Sequence, residues 1–329
     1  MIKRSMMRLM DLRHIEKTYQ RLREIVNKTP VAKSRTLNEL KNASIYLKCE
    51  NFQRTGSFKF RGAYNTVSQL SSKEREKGVI AHSSGNHGQA LALAAGLFNI
   101  PCIVVMPKNS SKVKMNAVAN YGAEIVLCGI NPKDRAKTAQ KLMEENGYTL
   151  IHPYDNDNMI AGAGTAAYEL IKEVGELDYV FCPVGGGGLI SGTSIAAKGL
   201  LPRIKVIGVE PEKANDAYLS FTSGKLVPSV SPDTIADGLR TSLSQRTFEI
   251  IKKNVHDIVL VSEKEIVETM RFLWERMKLV VEPSGAVSLA GLLKEEVDAD
   301  NLRVGVILSG GNVDLGRFFK GYKRQKKNK

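Results

Sequence analysis

Tyr179-Val180-Phe181-Cys182-Pro183-Val184-Gly185-Gly186-Gly187-Gly188-Leu189 is the stretch that decides the fold. An apolar run of this length, closed by a proline, reads as a strand buried on both faces, and the glycines that follow open a helix. Four consecutive glycines let backbone amides approach an anion with no Cβ in the way, and a helix start behind them adds positive potential. A phosphate site is therefore natural at Gly185 to Gly188. Neither GxGxxG nor GxxxxGK[ST] can be laid over Gly185 to Gly192, so a single phosphate ranks above a dinucleotide or a nucleoside triphosphate. A merely tight strand-to-helix turn would carry a high cost in chain entropy.

The same alternation extends in both directions. Short β-branched runs at Ile45–Cys49, Val79–His82, Cys102–Met106, Glu124–Cys128, Thr149–His152, Lys205–Val209, Ile258–Val261 and Val304–Leu308 are separated by segments of helical spacing, an α/β pattern. Ser71 with Glu74 and Ser262 with Glu265 have the spacing of a capping box, in which the two side chains satisfy each other's orphan amides at a helix start. Three strand-helix units run consecutively from Val79 to Leu142. The expected division is a smaller domain at 53–147, a larger one at 1–52 and 148–318, and a basic tail at 319–329, with a cleft between the domains.

The chain has 329 residues, enough for two domains with substantial cores. No apolar run approaches the roughly 20 residues needed to span a bilayer, and the first residues lack an apolar signal-peptide centre. The expectation is a soluble, cytoplasmic protein without a membrane partner. Cys49, Cys102, Cys128 and Cys182 form no CxxC or Cys/His grouping, which excludes a zinc framework and leaves reduced core thiols. The net charge of +14 concentrates at the ends, with Lys320, Lys323, Arg324, Lys326, Lys327 and Lys329 in the last ten residues. No aromatic interleaving accompanies these charges, so solvated tails are favoured over a nucleic-acid arm.

Three further segments carry chemistry. Arg54-Thr55-Gly56-Ser57-Phe58-Lys59-Phe60-Arg61-Gly62 places turn formers before a helix start, with a lysine in its first turns. The potential of a helix N-terminus disfavours an ammonium there and favours a nucleophilic amine over the ordinary lysine, with its pKa of about 10.4. Taken alone, a solvated lysine on a helix face is the commoner case. Ser83-Ser84-Gly85-Asn86-His87-Gly88-Gln89 and Leu308-Ser309-Gly310-Gly311-Asn312 set hydroxyls and amides at strand C-termini, the usual mouth of an α/β cleft. Helix capping by Ser84 or Asn86 is compatible with that role.

Together these segments resemble the fold-type II pyridoxal-phosphate enzymes, in the threonine/serine dehydratase and serine racemase branch. The likeness runs from Thr29-Pro30 to Asn312-Val313-Asp314-Leu315 and includes Asn51-Phe52-Gln53-Arg54, Thr234-Ile235-Ala236-Asp237-Gly238 and Trp274-Glu275-Arg276-Met277-Lys278. It implies two open twisted α/β domains of the tryptophan synthase β-subunit kind, with the active site in the cleft. It further implies that Lys59 carries the cofactor covalently, that Gly185, Gly186, Gly187, Gly188 and Leu189 hold its phosphate, and that Phe58 packs beside its ring. Ser309 would bond the pyridine nitrogen and Asn86 the ring hydroxyl, while Ser83, Ser84, Asn86 and His87 would bind the substrate carboxylate. A neutral serine cannot hold the ring nitrogen protonated as an aspartate would, and the tempered electron sink that results suits α,β-elimination. The implied reaction converts L-threonine, L-serine or a similar β-hydroxy amino acid to a 2-keto acid and ammonia. Serine or aspartate racemisation is the near alternative.

The resemblance also bears on Ser84, since racemisation needs a second proton donor opposite Lys59 and elimination does not. Glu210 and Asp216 flank a turn, and read from the residues alone they are a solvated strand end and a helix cap. The resemblance instead implies a Mg²⁺ or Ca²⁺ site built by Glu210, the Ala214 carbonyl and Asp216. Gln89, Tyr121, Lys278 and Asn312 are its counterparts for an activating ATP, and a homodimer is favoured by the same analogy. The chain departs from the family at Gly162-Ala163-Gly164-Thr165, where Gly-Gln-Gly-Thr is common. The sequence ends soon after Asn312, so feedback through a C-terminal regulatory domain is not expected.

Overall fold

A computed structural model describes residues 10–83, 85–110 and 112–315. The expectations placed on Ser84 and on the tail 319–329 lie outside the described residues. The strands are β1 (Val31–Ala32), β2 (Ser44–Cys49), β3 (Val79–Ala81), β4 (Cys102–Pro107), β5 (Glu124–Cys128), β6 (Thr149–Leu150), β7 (Tyr179–Pro183), β8 (Lys205–Pro211), β9 (Asp257–Val261) and β10 (Arg303–Leu308). The helices are α1 (Leu12–Leu22), α2 (Arg35–Lys41), α3 (Lys59–Val67), α4 (Ser72–Lys77), α5 (Asn86–Leu97), α6 (Lys112–Asn120) and α7 (Pro132–Asn146). They continue with α8 (Asp157–Val174), α9 (Gly188–Leu200), α10 (Asp216–Ser223), α11 (Gln245–Asn254), α12 (Glu263–Glu275) and α13 (Pro283–Leu293).

These strands form two sheets. The larger runs in the order β1-β2-β10-β7-β8-β9 and the smaller in the order β5-β4-β3-β6. All pairings are parallel except that of β1 with β2. The period of two explains why the central strands are apolar throughout: Phe181 faces one core with Val306, Val209 and Val287, while Val180 and Cys182 face another with Ile190 and Leu170. Both capping boxes form, at Ser71 with Glu74 and at Ser262 with Glu265. All four cysteines are buried and unpaired.

The sequence boundary at 147/148 needs correction. It places Thr149 and Leu150 in the larger domain, but they pair with Val79 and Ile80 as the edge strand of the smaller sheet. An apolar run specifies a strand without specifying its partner, which backbone pairing alone decides.

Helices α3, α8 and α9 form the joint between the sheets. A Cβ on Gly162 would stand 2.5 Å from the Cα of Gly62, and one on Gly192 would stand 2.5 Å from the Gly164 nitrogen. Only glycine permits backbones to pass that closely.

Candidate active site

The lysine segment is stitched to the end of the last strand. Phe58 N–H donates to the Ser309 carbonyl at 3.1 Å, and Ser57 forms an antiparallel bridge with Gly310. Lys59 is consequently the first residue of α3, as the turn formers before it suggest, and its ammonium or amine donates to the Pro153 carbonyl at 2.8 Å. Its pKa is lowered to about 8. Burial is the cause, rather than the helix-end potential from which the sequence argument began. The Nζ lies 5.0 Å from the Phe58 ring centroid, so that ring already flanks the reactive nitrogen.

The glycine loop enters from the opposite side. Lys59, Phe58, Gly188, Leu189 and Tyr154 line one narrow cavity, together with Ala163, where the chain departs from the family. Gly185 to Leu189 are all buried, Gly187 has φ +83°, and the loop leads directly into the 13-residue α9. The first amides of a helix have no acceptor within it, so a buried loop at this terminus presents donors to an anion. Tyr154 supplies part of the reason for the glycines, because a Cβ on Gly186 would meet its ring at 2.3 Å. These donors, a nucleophilic amine and a buried Ser309 fit a phosphorylated aldehyde cofactor. Ser309 Oγ now reaches the Ser284 carbonyl at 3.3 Å, while Gly185 lies against Gly238 and Leu239 of the segment that follows Thr234.

The third segment closes the ring of contacts. Asn86 Nδ2 donates to Glu282 Oε1 at 2.6 Å, and Asn86 Oδ1 accepts from Asn312 Nδ2 at 2.8 Å, which also donates to the Thr55 carbonyl at 2.7 Å. Burial pushes Glu282 up to about 7, with the Asp237 charge acting in the same direction. His87 differs from expectation in its side chain: the ring is buried and its Nε2 meets the Ile151 carbonyl at 2.7 Å. Burial lowers its pKa to about 3, with the Lys59 charge adding to the effect, so a neutral ring faces inward and the amides at the start of α5 remain to receive a carboxylate. Ser83 stands at the same entrance, with its Oγ accepting from Gly85 N–H at 3.3 Å.

Two contributors escape sequence reasoning. Glu282 is buried beside Asn86, and its only local signal is its place before Pro283 at the start of α13. Arg135 lies in the first turn of α7, has a buried Nε with no hydrogen-bond partner, and depresses the pKa of His82, which burial already lowers. No local pattern distinguishes it from the other surface-helix arginines.

Glu210, Ala214 and Asp216 form a separate group at the end of β8. Glu210 is fully buried rather than solvated, and its carboxylate accepts from the Ala217 and Tyr218 amides at 3.1 and 2.8 Å, capping α10 through space. Asp216 Oδ2 accepts from Leu243 N–H at 3.2 Å, and its Oδ1 is buried without a partner. Burial pushes Glu210 up to about 9 and Asp216 to about 6, and the Asp216 charge adds to the shift at Glu210. Among the described residues no three His, Cys, Asp or Glu side chains are grouped as metal ligands. A cation here would need backbone and water oxygens, a hard-ion arrangement that the orphaned Asp216 oxygen fits. Of the nucleotide counterparts, Asn312 is committed to Thr55 and Asn86, Gln89 is buried, and Lys278 Nζ donates to the Glu275 carbonyl at 2.6 Å.

A half-buried lysine, an amide-lined glycine loop and a serine after a central strand define a two-sheet α/β enzyme that binds an anionic aldehyde cofactor at the seam of its sheets. The chain belongs to the pyridoxal-phosphate dependent enzyme family, whose model matches residues 22–310. It is 52% identical over 299 residues to the L-threo-3-hydroxyaspartate ammonia-lyase of Saccharomyces cerevisiae, covering 91% of this chain and 92% of that protein. The structure of serine racemase from Dictyostelium discoideum aligns with a TM-score of 0.89 at 47% identity, covering 93% and 99% of the two chains. That of maize serine racemase aligns with a TM-score of 0.93 at 37% identity, covering 97% and 98%.

Proposed function

We propose that this chain is a pyridoxal-phosphate-dependent ammonia-lyase that removes water from a β-hydroxy amino acid, with L-threo-3-hydroxyaspartate preferred over L-serine and L-threonine. The observation that carries the reading is the half-buried Lys59, its amine desolvated to a pKa of about 8, beside the glycine loop and the Ser309 segment. When bound, pyridoxal phosphate supplies the electron sink for the pair released at Cα. Lys59 would attach it, Gly185 to Leu189 would hold its phosphate, Ser309 would meet the ring nitrogen and Asn86 the ring hydroxyl.

The protein's own steps are short. The Ser83–His87 amides fix the α-carboxylate, and Lys59 Nζ, a base near neutral pH, takes the Cα proton. The β-hydroxyl leaves as water with a proton returned to it. Arg135 supports an acidic side chain, since its unpaired Nε stands at the C-terminal edge of the smaller sheet near His82 and offers a second carboxylate a donor. The name of the yeast relative points the same way.

Ser84 is assigned the face opposite Lys59, giving racemisation as a side activity, as the name of the slime-mould relative suggests. Glu210, the Ala214 carbonyl and Asp216 are assigned to Mg²⁺ or Ca²⁺. The protein is proposed to act in the cytoplasm as a homodimer; among the described residues no helix is long and apolar enough to cross a membrane. Nucleotide activation rests on residue types alone and is left to the same assays.

The deciding experiment follows keto acid, ammonia and chirality together over L- and D-hydroxy amino acids, including L-threo-3-hydroxyaspartate. Borohydride reduction should fix the pyridoxyl group at Lys59, and Lys59→Ala should lose several orders of magnitude in turnover, on the order of 10³ or more. Modification at another lysine overturns the assignment. Ser84→Ala should abolish D-serine formation and spare dehydration; equal loss of both removes Ser84 from proton transfer. D-Serine formation far exceeding keto acid in the parent protein would make racemisation the principal reaction.

A further inference from the structure

Two residues beyond Lys59, Arg61 is buried to 0% exposure, and all five of its N–H donors are used. Nε and Nη2 donate to the two oxygens of Glu50 at 2.7 and 2.8 Å. Nη1 and Nη2 donate to the two oxygens of Glu169 at 2.8 Å each, and Nη1 also reaches Thr165 Oγ1 at 3.2 Å. Lys48 Nζ completes a charge-balanced quartet, 2.8 Å from Glu169 and donating to the Thr29 carbonyl at 2.7 Å. Thr29 Oγ1 donates in turn to Glu50 at 2.6 Å. The group joins the start of α3 to β2, to the turn after it and to α8.

Burying four charges is a poor way to gain stability, because apolar residues of the same volume commonly do as well or better. What a bidentate fork supplies is geometry. The glycine contact between α3 and α8 sets how near the helices stand, yet a smooth contact resists neither rotation nor sliding. At about 100° per residue, Arg61 projects from the side of α3 nearly opposite Lys59. The first turn is therefore gripped on one side by the quartet while its other side delivers the amine. Farther along, α3 packs against α5 of the smaller-sheet core, through Phe60, Ala63 and Val67 with Ala90 and Leu91.

We propose that Arg61, held by Glu50, Glu169 and Thr165, is a positioning residue that keeps Lys59 in register with the glycine loop and Ser309 of the larger sheet. The inference rests on the reading of Lys59 as the attachment residue. Burial alone lowers the Lys59 amine, and the neighbouring titratable groups, His87 of α5 and His152 of the loop after β6, are themselves lowered by burial and by the Lys59 charge, so a change at Lys59 in a quartet variant does not originate in their ionisation.

The test uses the full chain, stripped of cofactor for the acetylation and capture measurements and reloaded with it for kinetics. Arg61→Lys keeps the charge and loses the fork, while the isosteric Thr165→Val removes the bond from Arg61, together with the hydroxyl's own bond to the Gly162 carbonyl within α8, and leaves the ion pairs. Three quantities are read: the pH midpoint of Lys59 acetylation by acetic anhydride, followed by peptide mapping; the rate at which the apo-chain captures pyridoxal phosphate, followed by visible absorbance; and kcat against KM. A loosened first turn lets water reach the amine, so the acetylation midpoint should rise in Arg61→Lys. Capture and kcat should fall by about a hundredfold, the scale of a 1 Å misplacement, with KM nearly unchanged. Thr165→Val should move each quantity in the same direction by a smaller factor, and it decides the matter if Arg61→Lys does not fold. Unchanged acetylation and capture in the folded variants would reduce Arg61 to a structural role. A parent protein whose pyridoxyl group maps away from Lys59 would instead sink the attachment reading itself.

Discussion

Two places in this protein bury a pair of carboxylates, and they are answered differently. Glu50 and Glu169 meet Arg61, Lys48, Thr165 and Thr29, and although burial raises the Glu50 pKa, the charges of Arg61 and Lys48 and the hydrogen bonds from Arg61 and Thr29 outweigh it and leave it lowered. Glu210 and Asp216 meet backbone amides and the Ser229 hydroxyl but no cation of the chain, and both are raised, burial being the first cause. The first group is complete within the chain. The second has no cation of the chain beside it and is held by a retained proton, which is where the proposed divalent cation would act.

The contrast breaks most sharply at Arg61. Arg61→Met strands two carboxylates beside one ammonium and should destabilise by about 3–5 kcal/mol, read as a shift of the urea midpoint at constant slope. A shift below about 1 kcal/mol would show that the quartet is already hydrated or dispensable. The next effect belongs to the other pair. Mg²⁺ or Ca²⁺ at about a hundred times its dissociation constant should stabilise the parent by about 2.7 kcal/mol, and Glu210→Gln should abolish the response. If chelation and re-addition leave both stability and activity unchanged, with no ion detected, the cation assignment is wrong.

The pH dependence sharpens the comparison because its signs are opposite. Glu50 ionises more readily when folded, so its contribution is present above the ordinary glutamate pKa and is lost on acidification. Glu210 and Asp216 are harder to ionise when folded. Their contribution is therefore full below their ordinary values and is lost as pH rises through about 6 for Asp216 and about 9 for Glu210. Chelated protein should lose stability between about pH 5 and pH 9, and the added cation should flatten that slope; an identical slope with and without cation would separate the pair from metal. The smallest effect is at Thr29. Thr29→Val removes one hydrogen bond to Glu50 and should cost about 1–2 kcal/mol at neutral pH by urea titration, with no change in cation response.

This contrast also marks what the sequence makes legible. Nine strands are readable because a buried parallel strand is a continuous apolar run, whereas β1 is two residues on an antiparallel edge and leaves no period to detect. The lysine, glycine-loop, Ser83 and Ser309 segments are readable because each is a local motif at a turn. Lys48, Glu50, Arg61 and Glu169 form no motif: α8 supplies Glu169 from more than a hundred residues downstream of Arg61, and only the packing of α3 on α8 unites them. Arg135 and Glu282 escape notice for the same reason. At Glu210 the residue types are legible but not their burial, which follows from the placement of α10 over the end of β8.

The position of β10 has a consequence for biosynthesis. The strand is near the end of the chain, yet it lies between β2 and β7 in the middle of the larger sheet, and its Ser309 carbonyl holds the segment that carries Lys59. All four strands of the smaller sheet, by contrast, come from residues 79–150 and can associate early. A nascent chain emerging from the ribosome would thus display its lysine long before the strand that seats it. Seating of the lysine thereby waits for β10, and a chain truncated before Arg303 should neither close the larger sheet nor retain the vitamin-derived chromophore.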